Sequence, residues 1–285
     1  MTKRTHFFTS LLFLFLSFSS CENFGQLEVK AKLPKLLQEV SGIHYDAREN
    51  AFWMLNDSGN KSSIYLVTET GIIIREVKID AKNNDWEDIA MDADGNLYIG
   101  DFGNNYNDRK NLRILKIDKE DLTSKKKVKV KKIKFSFPEQ KKFPPKKKYY
   151  DVESLIQWQG NLYVFTKSRV KGQVGRTFLY RIPNIEGEHK AERISNLITC
   201  PQKHCWITAA DISNDGKKLV LLNHKSLWVF TDFKGDDFFS GKSKEYSFEH
   251  LSQKESVTFQ SNSTLFIADE GNRNSGRNLY RFQLN

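Results

Sequence analysis

The sequence predicts an all-β chain folded as a five-bladed β-propeller of four-stranded blades. Three observations predict it. A hairpin unit recurs five times at roughly 50-residue spacing. Turn signals such as Asp94-Gly95, Gly160-Asn161 and Asp215-Gly216 punctuate runs of strand-forming residues. An alternating segment, Gln26 to Lys32, precedes the first unit and is available to close a ring.

Each unit opens with a polar or small residue, then a small or acidic one, then an aliphatic one. The openings are Ser41-Gly42-Ile43, Glu87-Asp88-Ile89, Glu153-Ser154-Leu155, Ala210-Asp211-Ile212 and Glu255-Ser256-Val257. The second strands end at Asp57, Asp101, Lys167, His224 and Asp269, 14 residues after the opening in four units and 16 in the first. A constant offset means a constant hairpin register, and so a constant choice of which side chains share a face. Third strands are expected at Ile64–Val67, Leu112–Leu115, Phe178–Arg181, Leu227–Phe230 and Leu279–Phe282. Fourth strands are expected at Ile72–Ile79, Val128–Phe137, near Ala191–Ile198 and near Glu245–Phe248. The last unit has none, so the N-terminal strand is assigned to it. A sixth blade would need further strands in the Lys116–Lys148 connection, and that alternative stays open. The one helical expectation is a short turn near Pro34 to Gln38.

The chain has 285 residues, 39% of them hydrophobic, enough for one large domain over residues 26–285. Residues 1–20 read as a bacterial lipoprotein signal: Lys3 and Arg4, an apolar run from Phe7 to Phe18, then Ser19-Ser20 before Cys21. On that reading Cys21 is lipidated, residues 21–25 are its tether, and the chain is an outer-membrane lipoprotein facing the periplasm or the cell surface. Cys200 and Cys205 remain; export favours a disulfide, while free thiols or, with His204, a metal site are the alternatives.

The net charge of +10 is local. Residues 125–148 hold 12 lysines against Glu139, and the rest of the chain is near −1. Interspersed Val128, Val130, Ile133, Phe135 and Phe137 suggest an outer edge strand whose lysines discourage edge pairing. The functional reading is a patch for an anionic glycan or another envelope component. No nucleic-acid motif is present, and no nucleic-acid partner is expected. A monomer is expected.

In a propeller the openings and the second-strand ends meet at one axial mouth. That would gather Glu87, Glu153, Glu255, Asp57, Asp101 and Asp269 there, with Lys167 and His224. Clustered carboxylates repel unless a cation or raised pKa values intervene, and hard oxygen donors suit Ca²⁺. Structural turns are the bland alternative, since an Asp in a turn accepts backbone N–H bonds. His224 and Lys167 are the candidates for acid–base catalysis. Asp92 to Asn96 reads as a hairpin turn, not a calcium loop. The five tryptophans fall in or beside repeat strands and are expected in the core. No Gly-x-Ser-x-Gly, His-Glu-x-x-His, Cys-x-x-Cys or phosphate-cradling loop occurs, so a nucleophilic hydrolase or nucleotide enzyme has no motif support.

The phrases Val40-Ser41-Gly42-Ile43 with Asn56-Asp57-Ser58-Gly59-Asn60, Asp85-Trp86-Glu87-Asp88-Ile89-Ala90 with Gly100-Asp101-Phe102-Gly103-Asn104, Asp151-Val152-Glu153-Ser154-Leu155, and Ile207-Thr208-Ala209-Ala210-Asp211-Ile212-Ser213 resemble a family of exported bacterial β-propellers without an established activity. More distantly the chain is similar to SdiA-regulated, phytase-like and gluconolactonase-like propellers. The last two resemblances imply a calcium-dependent hydrolase with acids at the mouth, carried here by Glu87, Glu153, Asp101 and Asp269. Ser41 and Ala210 depart from a full acidic set. The leading expectation is a binding or scaffold role, with the hydrolase as the alternative.

Overall fold

The computed structural model describes residues 24–272 and 275–285. The signal segment and Cys21 lie outside the described residues. Five sheets form a ring. Blade 1 comprises Val40–Asp46, Ala51–Asn56, Ser63–Val67 and Ile73–Lys78. Blade 2 comprises Trp86–Met91, Leu97–Asp101, Arg113–Ile117 and Lys131–Ser136. Blade 3 comprises Asp151–Trp158, Asn161–Lys167, Arg176–Pro183 and Glu192–Ile198. Blade 4 comprises Ala209–Ile212, Lys218–Leu222, Ser226–Thr231 and Lys242–Ser247. Blade 5 comprises Lys254–Phe259, Thr264–Asp269 and Asn278–Gln283, and its fourth strand is the N-terminal Glu28–Lys32, antiparallel to Asn278–Gln283. The ring is therefore closed by pairing the two ends of the chain, and the count is five, not six.

The blades hold together because each junction buries its own apolar layer. Trp53, Leu66, Trp86 and Ile99 fill the first junction. Tyr98, Phe137, Leu162 and Tyr180 fill the second. Phe165, Leu179, Leu221 and Phe230 fill the third, Leu222, Val229, Leu265 and Tyr280 the fourth, and Phe52, Tyr65, Phe266 and Leu279 the fifth. Middle strands such as Ala51–Asn56 and Thr264–Asp269 are buried along their whole length, because both faces of each blade meet a neighbour. Trp53 and Trp86 are core residues, whereas Trp158, Trp206 and Trp228 are half-buried. The innermost strands pack around the axis closely enough that a side chain on Gly42 would meet the backbone of Asp88 and Ile89 at 2.9 Å.

The structure corrects the lysine-rich edge. Lys131–Ser136 is the outer strand of blade 2, but its edge is paired with a short parallel strand, Gly187–Lys190, from the third blade's connection. A 3-10 turn occupies Lys35–Leu37. Asp92 closes its hairpin by accepting N–H bonds from Gly95 and Asn96.

Candidate functional site

Four of the five innermost strands begin with a β-bulge, and the bulge aims the site. The register skips one residue between Val40 and Gly42, Trp86 and Asp88, Val152 and Ser154, and Lys254 and Ser256. The skipped residues are Ser41, Glu87, Glu153 and Glu255, and all four side chains line one axial mouth. A bulged residue is freed from the strict alternation of the strand, which lets it turn to the axis. Blade 4 has no bulge. Its mouth residue is Thr208, one before the paired strand, and Ala210 is buried among apolar neighbours instead. The sequence register of that blade is corrected by two residues.

The second strands deliver fewer acids than expected. Asp101 is fully buried, yet it does not line the mouth: its carboxylate accepts bonds from Arg109 at 2.9 Å and Arg113 at 2.7 Å. Asp269 likewise turns away, taking the Asn278 N–H at 2.7 Å and the Tyr280 hydroxyl at 2.7 Å. In blades 1 and 5 the mouth residue comes one position later, Asp57 after Ala51–Asn56 and Glu270 after Thr264–Asp269, whereas in blade 3 Lys167, the last residue of its strand, lines the mouth. Residues missed by sequence reasoning are therefore Asp85, Glu270, Thr208, Asn105 and Arg169. The Asp85-Trp86-Glu87 phrase and the Asp269-Glu270 pair carried the signal for two of them.

Six carboxyl groups now converge: Asp57, Asp85, Glu87, Glu153, Glu255 and Glu270. Two permanent cations face them. Lys167 Nζ lies 2.7 Å from Glu153 Oε2, and Arg169 binds Asp151 at 2.6 Å while reaching Glu153 Oε1 at 3.5 Å. Arg169 also acts on Glu87, and Arg109 acts on Asp85. One carboxylate oxygen each from Asp57, Asp85 and Glu87 lies within 4.8 Å of the others. Gly103 makes this possible, because a side chain there would collide with the carboxyl groups of Asp85 and Glu87.

The electrostatics follow from burial. Desolvation, then repulsion from Glu153 and Asp57, holds the Glu87 carboxyl well above its ordinary range. Desolvation also raises Glu153 despite Lys167, raises Asp85, and pushes Asp57 up to about 6 and Glu270 up to about 8. Glu255 differs: burial would raise it, but Lys167 and His224 outweigh burial and hold it low. Burial opposes the charge on Lys167 too, and Glu153 and Glu255 more than restore it.

His224 lies just past Lys218–Leu222, with Nε2 2.8 Å from Glu255 Oε1. It also faces an adjoining cavity of about 300 Å³ that it shares with His204, His250 and Glu270. Cys200 and Cys205 are joined by a disulfide, which closes the loop that carries His204.

Chemically, the mouth offers hard oxygen donors for a divalent cation, buried carboxyl groups most of which are raised above their ordinary range, and a histidine braced by a carboxylate. A family described as SdiA-regulated matches residues 21–142, which reach through the first two blades. No curated protein matches the chain. Among solved structures, PQQ-bound aldose sugar dehydrogenase from Streptomyces coelicolor is 10% identical, with 91% of this chain and 97% of that chain covered and a TM-score of 0.52. Virginiamycin B lyase from Staphylococcus aureus is 15% identical, with 89% of this chain and 69% of that one covered and a TM-score of 0.44. At these identities the likeness is one of fold. The chain is a β-propeller that is similar to the SdiA-regulated family over residues 21–142, through its first two blades.

Proposed function

We propose that this protein is a binding propeller of the bacterial cell envelope, anchored through a lipid on Cys21, whose axial mouth holds Ca²⁺ between Asp57, Asp85 and Glu87. One observation carries the metal reading. Three buried or half-buried carboxylates bring oxygens within 4.8 Å of one another. Oxygens bound to one Ca²⁺ at about 2.4 Å stand at most about 5 Å apart, so the three fit a single ion. A bound dication also offsets the burial and mutual repulsion that raise the Glu87 and Asp57 carboxyls.

The test is the metal content of the purified protein, with melting temperature after chelation and after adding CaCl₂. An ion that binds only the folded state raises the melt by mass action. The expected result is a calcium-dependent rise that is lost in Glu87→Gln. No metal and no rise would overturn the reading.

A second reading, a calcium-dependent hydrolase of the phytase, lactonase or esterase kind, is favoured by His224 and Glu255. A histidine braced at 2.8 Å by a carboxylate beside a polar cavity is arranged as a general base. Turnover of phosphoesters or lactones that disappears in His224→Ala, while the calcium-dependent melt persists, would establish it.

A further inference from the structure

We propose that a recess between blades 2 and 3 binds a sugar unit of a carboxylated polysaccharide. This site is separate from the axial mouth and does not depend on the metal there. The recess has a volume of about 330 Å³ and is lined by Tyr149, Tyr150, Phe178 and Tyr180, with Lys147 and Arg193 at its sides. That is the small end of the range for ligand pockets, roughly 300–1,000 Å³.

The aromatic lining and the cations point to one chemistry. The C–H face of a pyranose is weakly positive and packs on the negative face of an aromatic ring. Tyr149 and Phe178 stand edge to face, with centroids 5.3 Å apart, and both remain half-buried rather than sealed. The Arg193 guanidinium lies 5.7 Å from the Phe178 centroid, and its nearest acid, Glu139, is 3.7 Å away. Arg193 thus keeps donors for a carboxylate, whose two oxygens match the planar guanidinium fork.

The surroundings extend the same preference beyond one sugar. Of the 12 lysines in residues 125–148, those that form ion pairs among the described residues are Lys131, with Asp118, and Lys134, with Glu188. The remaining lysines project a positive field that suits a polymer with a negative charge on each repeating unit. The segment that roofs the recess is also held in place. The Tyr150 N–H donates to Asn107 Oδ1 at 2.6 Å, Gln140 Nε2 donates to the Asn107 carbonyl at 2.8 Å, and the Tyr149 hydroxyl bonds Gln173 Oε1 at 2.7 Å. A recess so fixed needs little ordering on binding. A flat lipid surface would engage projecting apolar side chains, whereas these rings line a concavity.

The experiment titrates the purified protein with oligogalacturonate and with its methyl ester, at about 0.05 M and about 0.5 M salt. Oligogalacturonate is expected to bind, to weaken roughly tenfold or more at the higher salt, and to bind roughly tenfold or more tighter than the uncharged ester. Arg193→Ala and Tyr149→Ala are each expected to weaken it roughly fivefold or more, a loss of about 1 kcal/mol. Lys61→Ala with Lys78→Ala, which removes two charges elsewhere on the ring, should leave it unchanged. Melting curves show whether each variant is folded, and the exposed Lys147→Ala replaces any that is not. Equal binding of acid and ester would overturn the proposal. So would an equal loss in the Lys61/Lys78 control, capture by phosphatidylglycerol vesicles without oligogalacturonate binding, or no binding at all.

Discussion

Lys167 Nζ stands 2.7 Å from Glu153 Oε2, and both side chains are buried in the axial mouth. Neither would be tolerated there alone. Removing one member of a buried pair leaves an uncompensated group in a poor solvent, at a cost of about 3–5 kcal/mol. Lys167→Met is therefore expected to destabilise the protein by about 3 kcal/mol, with the larger loss at alkaline pH, where Glu153 and Glu255 have no proton to fall back on. The double variant Lys167→Met with Glu153→Gln should recover much of that loss. Urea unfolding of the four proteins in the cycle measures it, and additive losses would show that the two groups do not depend on each other.

The mouth acids also set a pH dependence. The Glu270 carboxyl rises from 4.5 to about 8 and that of Asp57 from 3.8 to about 6, in both cases chiefly through burial. A carboxyl with a raised folded-state pKa holds more protons folded than unfolded. Its stabilising effect is full below the unfolded value and is lost as pH rises toward the folded value. The metal-free protein should thus lose stability between about pH 4 and pH 8, whereas Glu255, held low, costs stability only as pH falls below its ordinary 4.5. Calcium should raise the melt strongly at pH 8 and hardly at pH 5, because protons and the cation compete for the same oxygens. A calcium effect independent of pH would separate the ion from these groups.

Two further buried aspartates fasten blade to blade. Asp88 accepts the Ile89 N–H and, across the junction, the Leu155 N–H, both at 2.8 Å. Asp211 accepts the Ile212 N–H at 2.8 Å and the Phe259 N–H of blade 5 at 2.7 Å. An alanine at either position strands two buried donors, at about 1–3 kcal/mol each. Asp88→Ala should therefore be the more damaging change and Asp88→Asn the milder, since one amide oxygen still accepts. Denaturant midpoints rank them; equal losses would mean that a single remaining oxygen holds neither N–H and that both carboxylate oxygens are needed.

The ring was legible because its signal is periodic: five hairpins with turn glycines at matching offsets can be read without tertiary knowledge. The mouth residues Glu87, Glu153, Glu255, Asp57 and Lys167 were legible for the same reason. What failed depended on single-residue geometry. Lys167, Asp101 and Asp269 hold the same register position, yet Lys167 lines the mouth while Arg109 and Arg113 draw off Asp101 and Asn278 and Tyr280 draw off Asp269; such partners leave no mark in the alternation of apolar residues. In blade 4 the phrase Ala210-Asp211-Ile212 imitates Glu87-Asp88-Ile89, but without a bulge its strand enters at Thr208. The strand Gly187–Lys190 pairs with residues more than 50 positions away, and such non-local pairing has no local cue.

Closure by Glu28–Lys32 makes the last prediction. That strand pairs with Asn278–Gln283, and the chain just beyond it sends Leu33 and Leu37 into the junction between blades 5 and 1. Without the strand, Asn278–Gln283 becomes a free edge whose N–H and C=O groups offer a template to other chains. Deleting residues 28–32 should lower the melting temperature by well over 10 °C and cause concentration-dependent association, since several kcal/mol are lost and each shifts a domain of this size by about 2–4 °C. Replacing only the outward-facing Glu28 and Lys30 with Ser should do neither, because they lie on the solvent side and their ion pairs are exposed. Calorimetry with light scattering separates these outcomes. A deletion variant that stays monomeric and melts like the parent would show that the first strand is an accessory to the ring and not its clasp.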